Sequence, residues 1–157
     1  MKSKLLVPAL VLLAALSAAL VLRAADAGPR VIKIKAGEGN AMKFDVTTIT
    51  AAPGESLKIV MTNATTLPKN VMGHNWLLLA KGTDPIAFAT AGAGDAANDY
   101  IPAKMKDKVL VTSRMLGPNE TAEIEFKAPA EPGDYPFLCT FPAHCIVGMK
   151  GMLVVKK

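Results

Sequence analysis

The chain has 157 residues, 51% of them hydrophobic and only 20% charged, with a formal charge of +5 and two cysteines. That length suits one domain rather than several. The basic residues alternate with acids and form no long run, which argues against nucleic acid and leaves weak steering toward an anionic partner as the most the charge supports.

At the N-terminus, Lys2 and Lys4 precede an apolar run over residues 5–22, and the small residues Ala25 and Ala27 follow it. This is the pattern of an export signal cleaved after Ala27, so residues 1–27 read as a signal peptide and residues 28–157 as the mature domain. The run also approaches the roughly 20 apolar residues that cross a bilayer, and an uncleaved N-terminal anchor is the alternative. Export implies a periplasmic or similar location outside the cytoplasm, with membrane contact only if the segment is retained. Cleavage removes Lys2, Lys4, Arg23 and Asp26 and brings the formal charge from +5 to +3, so the mature domain is mildly basic.

Short apolar or alternating runs then recur at residues 31–35, 57–61, 75–79, 109–112, 122–126, 135–139 and 152–155. Each reads as a strand. Turn formers separate them, among them Pro53-Gly54-Glu55, Gly117-Pro118-Asn119-Glu120 and Glu131-Pro132-Gly133-Asp134. The rhythm predicts an all-β fold, a Greek-key antiparallel β-sandwich. The Ala- and Gly-rich stretch around residues 84–106 has no strand pattern and is expected to form a flap with a short helix.

The chemistry concentrates near the C-terminus. Cys139, His144 and Met149 stand at C-x4-H-x4-M spacing, and the only other histidine, His74, lies at the mouth of an apolar strand. A thiolate, two imidazoles and a distant thioether form the donor set of a trigonal copper site with a weak axial sulfur, in which copper changes oxidation state with little ligand movement. Each residue also has a plain structural reading. Cys139 and Cys145 are close enough to form a disulfide in an exported protein, His144 alone could be a surface histidine, and methionine is common in cores. Position, not residue type, selects Met149 from among Met42, Met61, Met72, Met105, Met115 and Met152.

Two long segments carry a resemblance. Leu67-Pro68-Lys69-Asn70-Val71-Met72-Gly73-His74-Asn75-Trp76 and Cys139-Thr140-Phe141-Pro142 resemble the azurin and auracyanin group of cupredoxins, and the likeness continues through Met149-Lys150-Gly151-Met152-Leu153. It extends more loosely from about residue 31 to the C-terminus. The arm from His144 to Met149 is one residue longer than in azurin and is similar to that of auracyanins. The resemblance implies one type 1 copper per chain, the Gly73 carbonyl as a weak ligand opposite Met149, and an Asn75 side chain that ties the His74 strand to the cysteine loop. It implies further that the His144 ring edge reaches solvent, that Phe44, Met72, Phe141, Pro142 and Ala143 surround the site, and that Trp76 belongs to the core. The chain also departs from the group. It lacks the N-terminal cysteine of the usual structural disulfide, it reads Asn63-Ala64-Thr65-Thr66 where azurins often carry a further histidine, it adds Cys145, and Ala143 replaces a common glycine.

The expected function is blue copper electron transfer. Partners would be redox proteins such as cytochromes or oxidoreductases that dock transiently at a patch around His144, and the protein would be a monomer. Copper oxidases and nitrite reductases need further histidines for a substrate-binding copper, and this chain has none beyond its two, so it is not expected to be an enzyme. A copper-delivery module without an electron-carrier role is the other reading; zinc would gain little from the thioether.

Overall fold

The computed structural model describes residues 28–157, and the expected signal or anchor segment lies outside the described residues. Eight strands form two sheets. Strand β1 (Arg30–Ala36), β3 (Ser56–Asn63) and β6 (Thr121–Lys127) make one, in the order β1-β3-β6; β2 (Thr48–Ala51), β8 (Lys150–Val155), β7 (Gly133–Leu138), β4 (Leu77–Leu79) and β5 (Val109–Thr112) make the other, in that order. The sandwich is as expected, but not purely antiparallel. β1 runs parallel to β3, and β2 runs parallel to β8. Side-chain alternation fixes which face of a strand is buried and says nothing about its direction, so these two pairings left no trace in the pattern.

In β3 the residues Leu57, Ile59, Met61 and Asn63 are buried, and those between them are less so. Leu57, Ile59 and Met61 meet Ile49, Leu78, Phe137 and Leu153 of the opposite sheet in the main core, where a fully buried aliphatic side chain contributes about 1.5–3 kcal/mol. Trp76 is fully buried there, between Phe137 and Phe126, with its indole N–H unpartnered.

The second sheet is covered on its outer side as well. β4 is three leucines, all buried: Leu78 joins the main core, whereas Leu77 and Leu79 join a satellite cluster with Leu138, Phe88, Ala89 and Cys145. Phe88 and Ala89 belong to helix α2 (Pro85–Gly92), which starts on Asp84 as its cap. Strands buried on both faces read as continuous apolar runs, and Leu77-Leu78-Leu79 is one. The flap expected around residues 84–106 therefore contains a true helix, followed by 3-10 turns at Ala96–Asn98 and Ala103–Lys108. A single-turn helix α1 (Lys69–Met72) lies just before His74. Among the described residues no helix is long and apolar enough to cross a membrane.

Candidate metal centre

β7 and β8 pair up to Leu138 and Lys150, and the loop between them closes on itself. The Cys139 N–H donates to the Met149 carbonyl (3.1 Å), that of Met149 to His144 (2.9 Å), and that of His144 to Phe141 (3.1 Å). The backbones carrying Cys139, His144 and Met149 are thus pinned to one another directly off the end of a rigid ladder. Ala143, at the tip, has φ 71°, a left-handed conformation that glycine adopts without penalty. The substitution noted in the sequence therefore places a strained alanine in this loop.

His74 arrives from another direction. Its N–H donates to the Leu116 carbonyl (3.2 Å) and its carbonyl accepts from Leu116 (2.8 Å), an isolated bridge outside the named strands. Gly73 must be glycine because of crowding: a Cβ there would lie 2.6 Å from the Lys69 carbonyl and 3.0 Å from Met115. Gly37 is needed too, since a Cβ on it would meet His74 Nε2 at 2.4 Å.

These segments bring His74, Cys139 and His144 together, with their donor atoms all within 4.8 Å of one another. Cys139 Sγ lies 3.8 Å from His74 Nδ1, 3.5 Å from His144 Nδ1 and 4.0 Å from the Gly73 carbonyl oxygen. Met149 is fully buried beside them in the main core. Asn75 ties the two segments as the resemblance implied: its Nδ2 donates to Thr140 Oγ1 and its Oδ1 accepts from the Thr140 N–H, both at 2.8 Å.

The electrostatics suit a soft metal. Burial pushes both imidazoles down to about 4, with repulsion from His144 adding to the effect on His74, so both are neutral and free to donate a lone pair at neutral pH. Burial pushes the Cys139 thiol up to about 12, against the pull of the Asn75 and Phe141 backbone N–H groups. A buried thiol held neutral between two imidazoles has little purpose alone, whereas a metal ion displaces its proton and compensates the charge. One sulfur and two imidazole nitrogens, with a thioether nearby, match copper better than magnesium, calcium or zinc. His74 Nε2, turned away from the sulfur, has no partner, consistent with Nδ1 as the donor atom.

One expectation changes. The His144 ring edge does not reach solvent: the residue is 2% exposed, with the Phe141 ring at 4.7 Å and the His74 ring at 4.8 Å. Met72 is buried as well, Phe141 and Pro142 are half-buried, and the exposed residues of the loop are Ala143, Ile146, Val147 and Gly148. The two cysteines remain free, and Cys145 faces the satellite cluster with its thiol against the Pro85 carbonyl (3.4 Å). Phe44 is buried against Phe137 in the main core. The roles of Leu116, Met115 and Gly37 were missed. A bridge between distant segments has no local signature, although Gly37 beside Gly39 marked a turn.

Comparison with known proteins agrees with this geometry. Residues 31–156 match the family of copper binding proteins described as plastocyanin/azurin. Auracyanin-A of Chloroflexus aurantiacus is 39% identical over 131 residues, which cover 82% of this chain and 75% of that protein. Azurin of Pseudomonas chlororaphis is 32% identical over 128 residues, 79% of this chain and 98% of that one. Among solved structures, dithionite-reduced auracyanin from Roseiflexus castenholzii superimposes with a TM-score of 0.69 at 30% identity, covering 83% of this chain and all of that one.

Proposed function

Because the chain belongs to the plastocyanin/azurin family of copper binding proteins, we propose that it carries single electrons between redox partners outside the cytoplasm. In this reading His74 Nδ1, Cys139 Sγ and His144 Nδ1 would hold one type 1 copper, with the Met149 thioether and the Gly73 carbonyl as its further, weaker donors. The observation that carries the reading is the buried thiol of Cys139 between two buried imidazole nitrogens, at 3.8 and 3.5 Å. Copper in this donor set supplies a one-electron couple.

The chain's own residues do the rest. His74, Cys139, His144 and Met149 are almost wholly buried, which would keep bulk water from a metal held there. This supports a carrier over an enzyme, as does the lack of a third histidine in the sequence. The paired Asn75 and Thr140 bonds hold the loop to the His74 segment and limit ligand movement between oxidation states; partners of this kind orient ligands and tune them. Delivery of copper to another protein would require buried donors to open, so the same pinned loop disfavours that alternative.

Docking is proposed at the loop face, where Ala143, Ile146 and Val147 are exposed above the buried His144. A small apolar face suits the brief contacts of redox partners such as cytochromes, which bury little area, and a monomer leaves it accessible. The visible spectrum tests the reading. Copper-loaded protein should show an intense blue band from thiolate-to-copper charge transfer, together with a reversible one-electron wave. A colourless copper(II) form, or metal that passes readily to a chelator, would reject it in favour of delivery.

A further inference from the structure

Asp99 and Tyr100 are consecutive non-glycine residues with φ of 52° and 61°. A left-handed pair of this kind is disfavoured for L-residues and persists only where the surroundings over-determine it. On one side it is held by the flap. The Tyr100 N–H donates to the Asp95 carbonyl (2.9 Å) and that of Asp99 to Ala96 (3.3 Å), while Gly92 of α2 packs so closely that a Cβ would lie 2.0 Å from the Tyr100 carbonyl oxygen.

On its other side the pair faces the metal centre, through three separate contacts. The Thr140 hydroxyl, next to Cys139, donates to the Asp99 carbonyl at 2.6 Å while accepting from Asn75. The Asp99 carboxylate accepts the Met115 N–H at 2.9 Å, and the Met115 side chain fills the space in front of Gly73. The Tyr100 ring stands edge-on to Phe141 (5.3 Å, 67°), and Phe141 in turn packs on the His144 ring. Each ligand segment is thus reached from one corner: Cys139 through Thr140, His144 through Phe141, and His74 through Met115.

We propose that the Asp99 and Tyr100 corner is the positioning clamp of the site, using its strained backbone to hold Thr140, Phe141 and Met115 so that the donors are in place before metal binds. The proposal rests on the copper reading for its purpose, but not for its test. Rigid elements behind a site fix its geometry better than the site loop alone.

Amide hydrogen exchange in the metal-free protein measures the clamp directly. Tyr100→Gly removes the ring while relieving the left-handed backbone, so global stability should hold or rise. The Thr140, His144 and Met149 amides should nevertheless exchange roughly tenfold faster or more. Tyr100→Phe should match wild type, because no hydrogen bond of the tyrosine hydroxyl is seen among the described residues. Asp99→Gly, which also tolerates the backbone but loses the carboxylate, should loosen the loop independently; Asp99→Asn should restore it. In the copper-loaded proteins the two loosened variants should show a broadened or shifted visible band and an altered potential. Unchanged loop exchange in both glycine variants at wild-type stability would overturn the clamp, as would loosening by Tyr100→Phe. A wild type without a blue band would overturn the electron-carrier reading instead and leave the exchange result standing.

Discussion

The loop that closes the site has two faces, each with a buried thiol six residues from the other, and they behave as opposites. Cys139 looks into the main core at two imidazoles; Cys145 looks across the second sheet at Leu77, Leu79, Phe88 and the Pro85 carbonyl. Burial raises the pKa of both. What separates them is therefore not desolvation but the neighbours: lone-pair donors that complete a metal's shell on one side, hydrocarbon on the other. Cysteine chemistry is decided by such surroundings, and an inert buried thiol is the usual outcome.

The largest test of this contrast is a pair of substitutions. Cys139→Ser should abolish the blue band entirely, whereas Cys145→Ala should keep the band and cost about 1–3 kcal/mol of stability through lost packing, as read by visible absorption and denaturant unfolding. A blue Cys139→Ser protein would break the assignment. A Cys145→Ala protein with a changed band would show that the satellite cluster reaches the metal through the loop.

Acid provides the next largest effect. In the metal-free protein both imidazoles titrate near 4, below their ordinary 6.5, so between those values the unfolded chain binds protons that the fold does not. Stability then rises with pH across this window and is lost as pH falls from 6.5 toward 4. At about 1.4 kcal/mol per pKa unit the loss is at most ~3 kcal/mol for each histidine. Thermal melts at pH 7 and pH 4.5 should show this in wild type, with a smaller loss in His144→Gln. The copper-loaded protein should resist acid further, since its bound nitrogens are not free to take a proton.

Sequence patterning made most of this architecture legible, for reasons that are visible in particular residues. Val109–Thr112 was expected at the bounds observed, and the run over residues 75–79 was expected as a strand and contains Leu77–Leu79. His74, Cys139 and His144, which the structure brings together, stood out because residue type and spacing together suggest a donor set. What escaped detection was encoded elsewhere. Thr48–Ala51 alternates over only four residues, too few to stand out from the threonines around it, and its parallel pairing with β8 is a property of topology. The Leu116 bridge acts through backbone groups, which every residue carries, and the Asp99 corner joins a backbone carbonyl, a carboxylate and a ring to partners far off in sequence, so no local spacing betrays either. His144 is closed off by the packing of Phe141, which the motif did not specify.

On the Cys139 face, the axial position allows a finer test. Met149→Leu keeps the volume and burial of the side chain while removing its sulfur, so copper should remain bound. The reduction potential should rise, because losing a donor in a dry site disfavours the oxidised ion, and the axial ligand is a recognised lever on it. Protein-film voltammetry checks the sign. An unchanged potential would remove Met149 from the metal's surroundings. On the exposed edge of the same loop, Val147→Lys should leave colour and potential in place while slowing electron self-exchange, since a charge would then sit on the face proposed for docking. Equal self-exchange rates would place electron exit elsewhere.

The smallest effect is expected at the hinge between the two faces. Ala143 sits immediately before His144 at φ 71°, where a side chain costs about 1–2 kcal/mol relative to a right-handed conformation. Ala143→Gly removes that penalty but adds the entropy glycine loses on folding, about 0.5–1 kcal/mol. The net stabilisation should therefore be no more than about 1.5 kcal/mol, measurable by denaturant midpoint at unchanged slope. The blue band should not move, because the His144 N–H to Phe141 and Met149 N–H to His144 bonds fix the loop from both sides of this residue. A destabilised Ala143→Gly protein would mean that the alanine methyl packs against the loop strongly enough to outweigh its backbone strain.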